Sequence, residues 1–272
     1  MKRLDVIGNV SRDVTLYPDH RGGARLGGAA LMVALAAAKA GRAAAPVCVL
    51  GDDLVHLPQA AELTAIDWSA HSTAKGPSAR FELEYDQHGE LVAVRPDYGV
   101  ADQLTAHALA HVDHHSDSQY HVCCRRPLDT AAVLDRLART GADFSVDFFL
   151  PSAEAMIRTA APWLAYATTV FVNAAEHRLL QSVVDTTELR EIVVTDGPRA
   201  ATVWAYGRQT GAAVPPPRPP LEVSGAGDTL AGTFLAHCAQ GAPATHALAQ
   251  ATAAAAQHLT TPSLPIPAQR RA

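Results

Sequence analysis

Two hydrophobic periods alternate along this chain, one typical of buried strands and the other of amphipathic helices. Strands are predicted at Leu4–Gly8, Pro46–Gly51, Gln119–Cys124, Phe144–Phe148, Thr169–Val172 and Ile192–Thr195. Helices are predicted at Ala29–Ala40, Thr130–Thr140, within Ala153–Leu164, and at Ala175–Val183, Gly227–Ala239 and near Pro243–His258. Strands that alternate with helices predict an α/β fold, in which a mostly parallel central sheet is flanked by helices on both faces.

One segment departs from that alternation. Ala79–Tyr85 alternates polar and apolar residues with a period of two, and a turn over Asp86–Gly89 leads into Leu91–Val94. This pattern predicts a half-buried antiparallel hairpin. The pattern leaves its placement open, and an edge hairpin on the main sheet without ligand contact is one alternative.

Composition and charge narrow the functional class. The chain has 272 residues, enough to bury a large single-domain core, and only 18% of them are charged, with a formal net charge of −5. Nothing in this balance favours a nucleic-acid partner. No apolar run approaches the roughly 20 residues that a membrane helix needs, so no membrane association is expected.

The chain start and the cysteines indicate a reducing compartment. Met1–Gly8 is basic and then apolar, but Asp5 and the brevity of the run argue against a secretory signal. The cysteines lie in apolar segments without a C-x-x-C pair, at Cys48, Cys123, Cys124 and Cys238. They are therefore expected to be reduced, buried side chains of a cytoplasmic protein.

The segment Leu221–Gly232 combines small residues with a carboxylate at a predicted helix start. Gly225, Ala226 and Gly227 are small enough for their backbone N–H groups to converge on an anion. A helix N-terminus adds unsatisfied donors and a positive partial charge, which favour phosphate. Asp228 is either a general base facing that phosphate or an ordinary residue of the first turn.

Three further motifs precede this segment. They are the pair Gly27-Gly28 before an Ala-rich helix that ends at Gly41, the string Asn173-Ala174-Ala175-Glu176, and the strand and loop Val193–Gly197. Together with Glu222–Asp228, in kind and order, they resemble the ribokinase-like (PfkB-type) family of carbohydrate and nucleoside kinases. The resemblance implies a single ribokinase-like three-layer domain over residues 1–262 and a flexible tail over 263–272. It also implies a small, reduced β lid built from approximately 14–26 and 79–98.

The same resemblance implies a reaction. The chain is expected to transfer the γ-phosphate of ATP to a hydroxyl, here a hydroxymethyl group, of a sugar, nucleoside or sugar-like metabolite. Asp228 would be the general base, and the amides of Gly225, Ala226 and Gly227 would form the anion hole. Phosphoryl transfer needs positioning, charge neutralisation and a proton acceptor, which this set supplies. The contrasting hypothesis is a catalytically weak ligand-binding or regulatory protein with the same fold.

Nucleotide and metal contacts are implied by the middle motifs. Asn173, Thr195, Gly197 and Ser224 match positions on the nucleotide side, and Glu176 matches a position that organises Mg²⁺ through water. ATP and Mg²⁺ are the implied cofactors. The residues alone allow a second interpretation, in which Asn173 caps a helix and Glu176 completes a capping box.

The acceptor side is implied by the first motif and by residues just after the first strand. Asp13 and Asn9 are expected to bind acceptor hydroxyls, with Gly27 and Gly28 allowing close backbone approach. Met32 stands where the family has an acceptor-binding Asn, and a thioether cannot donate to a hydroxyl.

Two other features leave alternatives open. Glu222 replaces the usual Asp near the family's monovalent-cation site, so activation by K⁺ is left open. The implied partners are a small-molecule acceptor and ATP, for a monomer or homodimer. Histidines crowd one polar segment, at His107, His111, His114, His115 and His121, where a solvated, pH-sensitive surface is favoured over a metal site.

Overall fold

The structure, a computed structural model, describes residues 1–19, 22–89, 91–115, 117–218, 221 and 223–266. Its strands are β1 (Leu4–Ile7), β2 (Ser11–Leu16), β3 (Gly22–Gly27), β4 (Ala44–Val47), β5 (Val49–Leu50), β6 (Ser72–Thr73), β7 (Ala79–Tyr85), β8 (Leu91–Asp97), β9 (Gln119–Cys124), β10 (Phe144–Phe148), β11 (Thr169–Asn173), β12 (Ile192–Thr195), β13 (Ala201–Ala205) and β14 (Arg208–Ala213). Its α-helices are α1 (Ala29–Lys39), α2 (Leu104–His114), α3 (Thr130–Thr140), α4 (Ala153–Ala160), α5 (Ala174–Val183), α6 (Ala226–Ala239) and α7 (Ala244–His258).

The main sheet has eight strands in the order β14-β13-β12-β11-β10-β9-β1-β4. The six strands from β4 to β12 in this order are parallel, and β13 and β14 add an antiparallel hairpin at one edge. Every residue of β1, β4, β9 after Gln119, and β10 is buried, as expected for parallel strands that helices cover on both faces. The strand predicted over Pro46–Gly51 divides into β4 and β5.

Helices form a layer on each face of this sheet. One hydrophobic cluster joins the sheet to α1, α6 and α7, and a second joins it to α2, α3, α4 and α5. Helices α1 and α6 approach so closely that a Cβ on Gly232 would lie 2.2 Å from the carbonyl oxygen of Val33. The small residues of both helices therefore permit this packing, and the predicted three-layer architecture is confirmed.

The predicted hairpin belongs to a separate four-stranded sheet, in the order β3-β2-β7-β8. Strands β7 and β8 are antiparallel, with Leu83 opposite Val94 and Glu84 opposite Ala93. Strands β2 and β3 come from the segment expected to contribute to the lid. The alternative of an edge hairpin on the main sheet is wrong, since the hairpin pairs with β2 and not with that sheet.

The expectation of a solvated histidine surface is wrong for two of its members. Residues 104–114 form the unpredicted helix α2, whose buried face packs on the main sheet and includes His111. His121 lies in β9 and is fully buried. A polar segment was expected to be a loop, but helical spacing places one of its faces in the core.

The end of the chain departs from the expected flexible tail. The backbone N–H of Leu26 donates to the carbonyl of Leu264 over 2.9 Å, and Leu264 and Ile266 pack against the core. The predicted tail boundary at residue 263 is therefore too early, and residues 267–272 lie outside the described residues.

The prediction that the cysteines are buried is confirmed for three of the four and is wrong for Cys238. All four are free thiols, with Cys48, Cys123 and Cys124 fully buried and Cys238 partly exposed. Burial raises the pKa of each of these thiols, which keeps them protonated. Among the described residues, no helix is both long and apolar enough to cross a membrane.

Candidate active site

A cleft of about 820 Å³ opens where the carboxyl ends of the parallel strands face the four-stranded sheet. Ligands bind at this edge in open α/β folds. The predicted site residues that line it are Asn9, Asp13, Gly28, Asn173, Glu176, Thr195, Gly197, Ser224, Gly225, Gly227 and Asp228. Gly27 and Met32 line an adjoining cavity of about 70 Å³, which shares Asp13, Gly28, Ser224, Gly225 and Asp228 with the cleft. Most residues predicted for one site are thus brought together.

The Gly225–Asp228 loop forms the N-terminus of α6. Gly225 has a φ of 86°, in the left-handed region that favours glycine, and none of the side chains that the structure describes caps the helix start. Ala226 is the first helical residue, and Asp228 lies in the first turn with its side chain 17% exposed. The first amides of a helix have no intrahelical acceptor, so they form an anion-binding terminus beside the Asp228 carboxylate.

His258, at the end of α7, is hydrogen-bonded to the residue that precedes this loop. Its Nε2 donates to the carbonyl oxygen of Ser224 over 2.8 Å. A Cβ on Gly225 would lie 3.2 Å from the same nitrogen and 3.1 Å from Cε of Met32. His258 and Met32 therefore pack under the loop, and no sequence motif pointed to His258.

An ion pair that the sequence did not reveal lies beside Asp228. Arg125 follows β9, and its Nη2 donates to Oδ2 of Asp147 in β10. The same Nη2 lies 3.8 Å from Oδ1 of Asp228. The available signal was Asp147 itself, a carboxylate within the predicted buried strand Phe144–Phe148, since charged residues are rarely buried without a partner.

Burial and charge act in opposite directions on these carboxylates. Burial raises the pKa of Asp228 and of Asp147, while the guanidinium of Arg125 acts to lower both pKa values. The positive partial charge of the helix N-terminus favours the ionised form of Asp228, and burial opposes it. Arg125 supplies the compensating positive charge.

His121 completes the buried polar cluster. Burial lowers the pKa of His121 to about 3, so the imidazole is neutral at physiological pH. Potential ligand atoms of His121, Cys123 and Asp147 lie within 4.8 Å of one another. However, Arg125 already pairs with Asp147, and its positive charge disfavours a cation at this point.

Asn173 and Glu176 form the capping box that was the alternative interpretation. Asn173 Oδ1 accepts from the backbone N–H groups of Ala175 and Glu176, both over 2.9 Å, and Glu176 Oε2 accepts from the N–H of Asn173 over 2.8 Å. Both side chains also line the cleft. Glu176 is only 4% exposed, and burial raises its pKa to about 7.

The predicted acceptor residues are packed tightly around two glycines. Asp13 is buried and accepts from Ser11 Oγ over 2.6 Å. A Cβ on Gly27 would lie 1.8 Å from Asp13 Oδ2, and one on Gly28 would lie 2.2 Å from the carbonyl oxygen of Asn9. Only glycine fits at these two positions without displacing Asp13 or the Asn9 backbone.

Asn9 is held in the cleft by its backbone and its amide. Its Nδ2 donates to the carbonyl of Arg126 over 3.3 Å, whereas its buried Oδ1 has no hydrogen-bond partner among the described residues. An unpaired buried amide oxygen at the cleft wall is suited to accept from a ligand hydroxyl.

Aromatic side chains of the four-stranded sheet cover the cleft. Tyr85 and Phe81 line it, and Tyr85 stacks on Tyr17 with ring centroids 5.0 Å apart. The backbone N–H of Val223 donates to the hydroxyl oxygen of Tyr17 over 3.4 Å, which joins this sheet to the segment preceding the Gly225–Asp228 loop. Glu222, which replaces the Asp expected near a monovalent-cation site, lies outside the described residues.

Comparison with known proteins agrees with this architecture. The model of the pfkB family of carbohydrate kinases matches residues 1–269. A cytidine kinase from Thermococcus kodakarensis is 27% identical over 257 residues, which cover 89% of this chain and 91% of that relative.

Solved structures show the same fold at low identity. The nucleoside kinase of Burkholderia thailandensis in complex with inosine is 17% identical, with a TM-score of 0.78, and the match covers 95% of this chain and 91% of that chain. A structure from E. coli described as a ribokinase II, in complex with ATP and Mg²⁺, is 16% identical with a TM-score of 0.77, covering 97% and 94%. Because the family match spans nearly all of the sequence, the chain belongs to the pfkB family of carbohydrate kinases, phosphotransferases that act on a hydroxyl of a sugar or nucleoside.

Proposed function

We propose that this protein transfers the γ-phosphate of ATP to a hydroxymethyl group of a nucleoside or nucleoside-like acceptor, with Asp228 as the general base. The observation that carries the proposal is the position of Asp228 in the first turn of α6, within the cleft that also contains Asp13. A carboxylate and an anion-binding helix terminus then face one ligand volume.

Each group has a defined task in this reaction. Asp13 and Asn9 bind acceptor hydroxyls, because a carboxylate and an amide oxygen accept hydrogen bonds from them. Asp228 accepts the proton of the attacking hydroxyl. The backbone amides of Gly225, Ala226 and Gly227 stabilise the charge on the transferred phosphoryl group.

ATP occupies the half of the cleft formed by the ends of β11 and β12. Asn173, Thr195, Gly197 and Ser224 line that half or its border with the Gly225–Asp228 loop. Arg178 lines it as well and adds positive charge for a polyphosphate, whereas Arg199 at the same wall is already paired with Asp196. Glu176 offers a carboxylate oxygen, the ligand type that Mg²⁺ prefers, and Mg²⁺ supplies charge neutralisation when bound.

The side chains of the four-stranded sheet that line the cleft suit a nucleoside better than a free sugar. Phe81, Leu83 and Tyr85 form an apolar and aromatic surface on β7, the strand paired with the Asp13 strand β2. Such a surface is suited to a base ring, which gains from stacking and from removal of apolar area from water. The relative named as a cytidine kinase and the neighbour bound to inosine support this acceptor class.

The test combines an acceptor screen with one substitution. ATP consumption is measured with nucleosides, free sugars and cyclitols, and the best acceptor is then used with Asp228→Asn. The amide keeps the size of the side chain but cannot accept the proton, so kcat should fall by about 10²–10⁴-fold with little change in KM for ATP.

Asp135→Asn, which changes an exposed carboxylate of α3 paired with Arg139, is the matched control and should retain the parent kcat. If Asp228→Asn turns over at the parent rate, Asp228 is not the base. If free sugars react and nucleosides do not, the proposed acceptor class is wrong.

A further inference from the structure

Arg125 occupies a position shared by two carboxylates. Its Nη2 contacts Asp147 Oδ2 and lies 3.8 Å from Asp228 Oδ1. The contact with Asp147 is a direct ion pair, and the longer separation leaves Asp228 without a direct hydrogen bond from this nitrogen. Asp147 therefore anchors the guanidinium, which extends toward the general base.

The guanidinium retains hydrogen-bonding capacity at the cleft wall. Arg125 lines the cleft, and its side chain is 17% exposed. Its buried Nε has no partner among the described residues. The ring of Phe149 lies beneath it, with Cζ 5.4 Å from the ring centroid, which fixes the plane of the group. An arginine held this way presents donors to a planar or tetrahedral oxyanion.

We propose that Arg125 is a catalytic residue that contacts the phosphoryl group in transit, and that Asp147 is the positioning residue that holds it there. The inference rests on the proposed function, since it assumes that Asp228 is the base. It adds a side-chain charge to an anion hole otherwise built from backbone amides.

The charge changes during transfer explain why one arginine can interact first with Asp228 and then with the phosphoryl group. The acceptor hydroxyl gives its proton to Asp228, the new bond forms between the acceptor oxygen and the γ-phosphorus, and the bond to the bridging oxygen breaks with its electron pair staying on ADP. Before transfer, Arg125 favours the ionised form of Asp228. Once Asp228 is protonated, the attraction between these two groups is lost, so the guanidinium is free to neutralise the phosphoryl oxygens.

Asp228 has several charged or titratable neighbours besides Arg125. They are Asp147 in β10, His121 in β9 and His258 at the end of α7, with Asp13 and Lys39 lining the adjoining cavity. Arg125 acts to lower the pKa of Asp228, whereas Asp147 acts to raise it. Substitutions of Arg125 and Asp147 should therefore move the acidic limb of the pH profile in opposite directions.

The experiment measures kcat from pH 4 to 9 with the acceptor found for the parent enzyme. Arg125→Ala should lower kcat by about 10²–10³-fold, the effect of removing one donor from an oxyanion site, and should move the acidic limb to higher pH. Asp147→Asn should lower kcat less and move that limb to lower pH. Methylguanidine added to Arg125→Ala should restore part of kcat, which a purely structural arginine would not show.

Two further variants complete this test: one distinguishes a catalytic defect from misfolding, and the other is a control for activity. Arg125→Ala leaves Asp147 buried without its cation, so the double variant Arg125→Ala/Asp147→Asn removes both charges and should fold while keeping the kcat loss. Arg158→Ala, which breaks an exposed pair with Glu154 on α4, is the control and should match the parent.

The outcomes separate this inference from the proposed function. If Asp228→Asn is inactive while folded Arg125→Ala and the double variant keep the parent kcat, the role of Arg125 is wrong and the base stands. Opposite limb shifts with methylguanidine rescue support the inference. Shifts in one direction without rescue overturn it. A parent-like Asp228→Asn would instead overturn the mechanism on which the inference rests.

Discussion

Two buried carboxylates with arginine partners lie at opposite ends of the parallel strands of the main sheet. The side at the amino ends of these strands is called the amino edge, and the side at their carboxyl ends the carboxyl edge. The two carboxylates differ in how completely they are hydrogen-bonded. At the amino edge, Asp5 of β1 is fully buried and accepts from Arg3 Nε over 2.6 Å, from Arg3 Nη2 over 3.0 Å and from His111 Nε2 over 2.7 Å. At the carboxyl edge, Asp147 pairs with Arg125, but its Oδ1 and the arginine Nε have no partner among the described residues.

This difference sets the direction of the pKa shifts. Burial acts to raise the pKa of Asp5, but hydrogen bonds from His111 and Arg3 outweigh it and hold this pKa below its ordinary value. Burial prevails at Asp147, whose pKa is raised. A fully satisfied network stabilises the fold, whereas an incomplete one leaves polar atoms that a ligand can satisfy. Residue types alone would not have separated the two.

The prediction with the largest expected effect tests the two edges with matched substitutions of Asp5 and Asp147. Asp5→Asn removes the carboxylate that accepts hydrogen bonds from both Arg3 and His111. This substitution should lower the free energy of unfolding by about 3–5 kcal/mol, as for other broken buried pairs. Asp147→Asn should lower it less, because burial raises the pKa of Asp147, so its surroundings stabilise the charged carboxylate less than those of Asp5 do. Urea unfolding and kcat per folded molecule are measured for both. Equal stability losses, or a larger kcat loss for Asp5→Asn, would break the comparison.

A second test uses the pH dependence of stability at the carboxyl edge. The pKa of Glu176 is about 7 in the folded protein and 4.5 ordinarily, so its contribution to stability is complete below pH 4.5 and is lost as the pH rises through 7. Glu176→Gln removes that loss while its amide oxygen can still accept from Asn173. The stability of the variant relative to the parent should therefore rise between pH 4.5 and 8, by at most about 3 kcal/mol.

Urea unfolding at several pH values measures this difference. Glu154→Gln on α4, an exposed carboxylate paired with Arg158, is the control and should show no such trend. A difference between Glu176→Gln and the parent that stays constant with pH would contradict the raised pKa.

The smallest expected effect concerns Met32, which lies under Gly225 at the carboxyl edge. Met32→Asn introduces an amide that can pair with a buried acceptor hydroxyl, a pairing associated with about 1–3 kcal/mol. The ratio of kcat/KM for polar over less polar acceptors should rise accordingly, while KM for ATP stays near the parent value. Met32→Leu keeps the volume and should leave that ratio unchanged. Equal changes toward both acceptors and ATP would count against this placement.

Local sequence patterns determined much of this protein. The alternating periods located the six parallel strands of the main sheet and most of its covering helices, because a buried strand or an amphipathic helix is encoded by neighbouring residues. The period of two in β7 located the hairpin, and the small residues around Gly225 located the helix terminus beside Asp228. These features depend on residues close together along the chain.

Tertiary structure alone decided which distant side chains meet. Arg125, Asp147 and Asp228 converge because β9 and β10 are adjacent and α6 begins at the same sheet edge. His258 reaches Ser224, and His111 reaches Asp5, through the packing of α7 and α2. Hydrophobic periods specify which face of an element is buried but not which element covers it. The pKa values and spare hydrogen-bonding atoms that distinguish the two edges therefore follow from the fold as a whole.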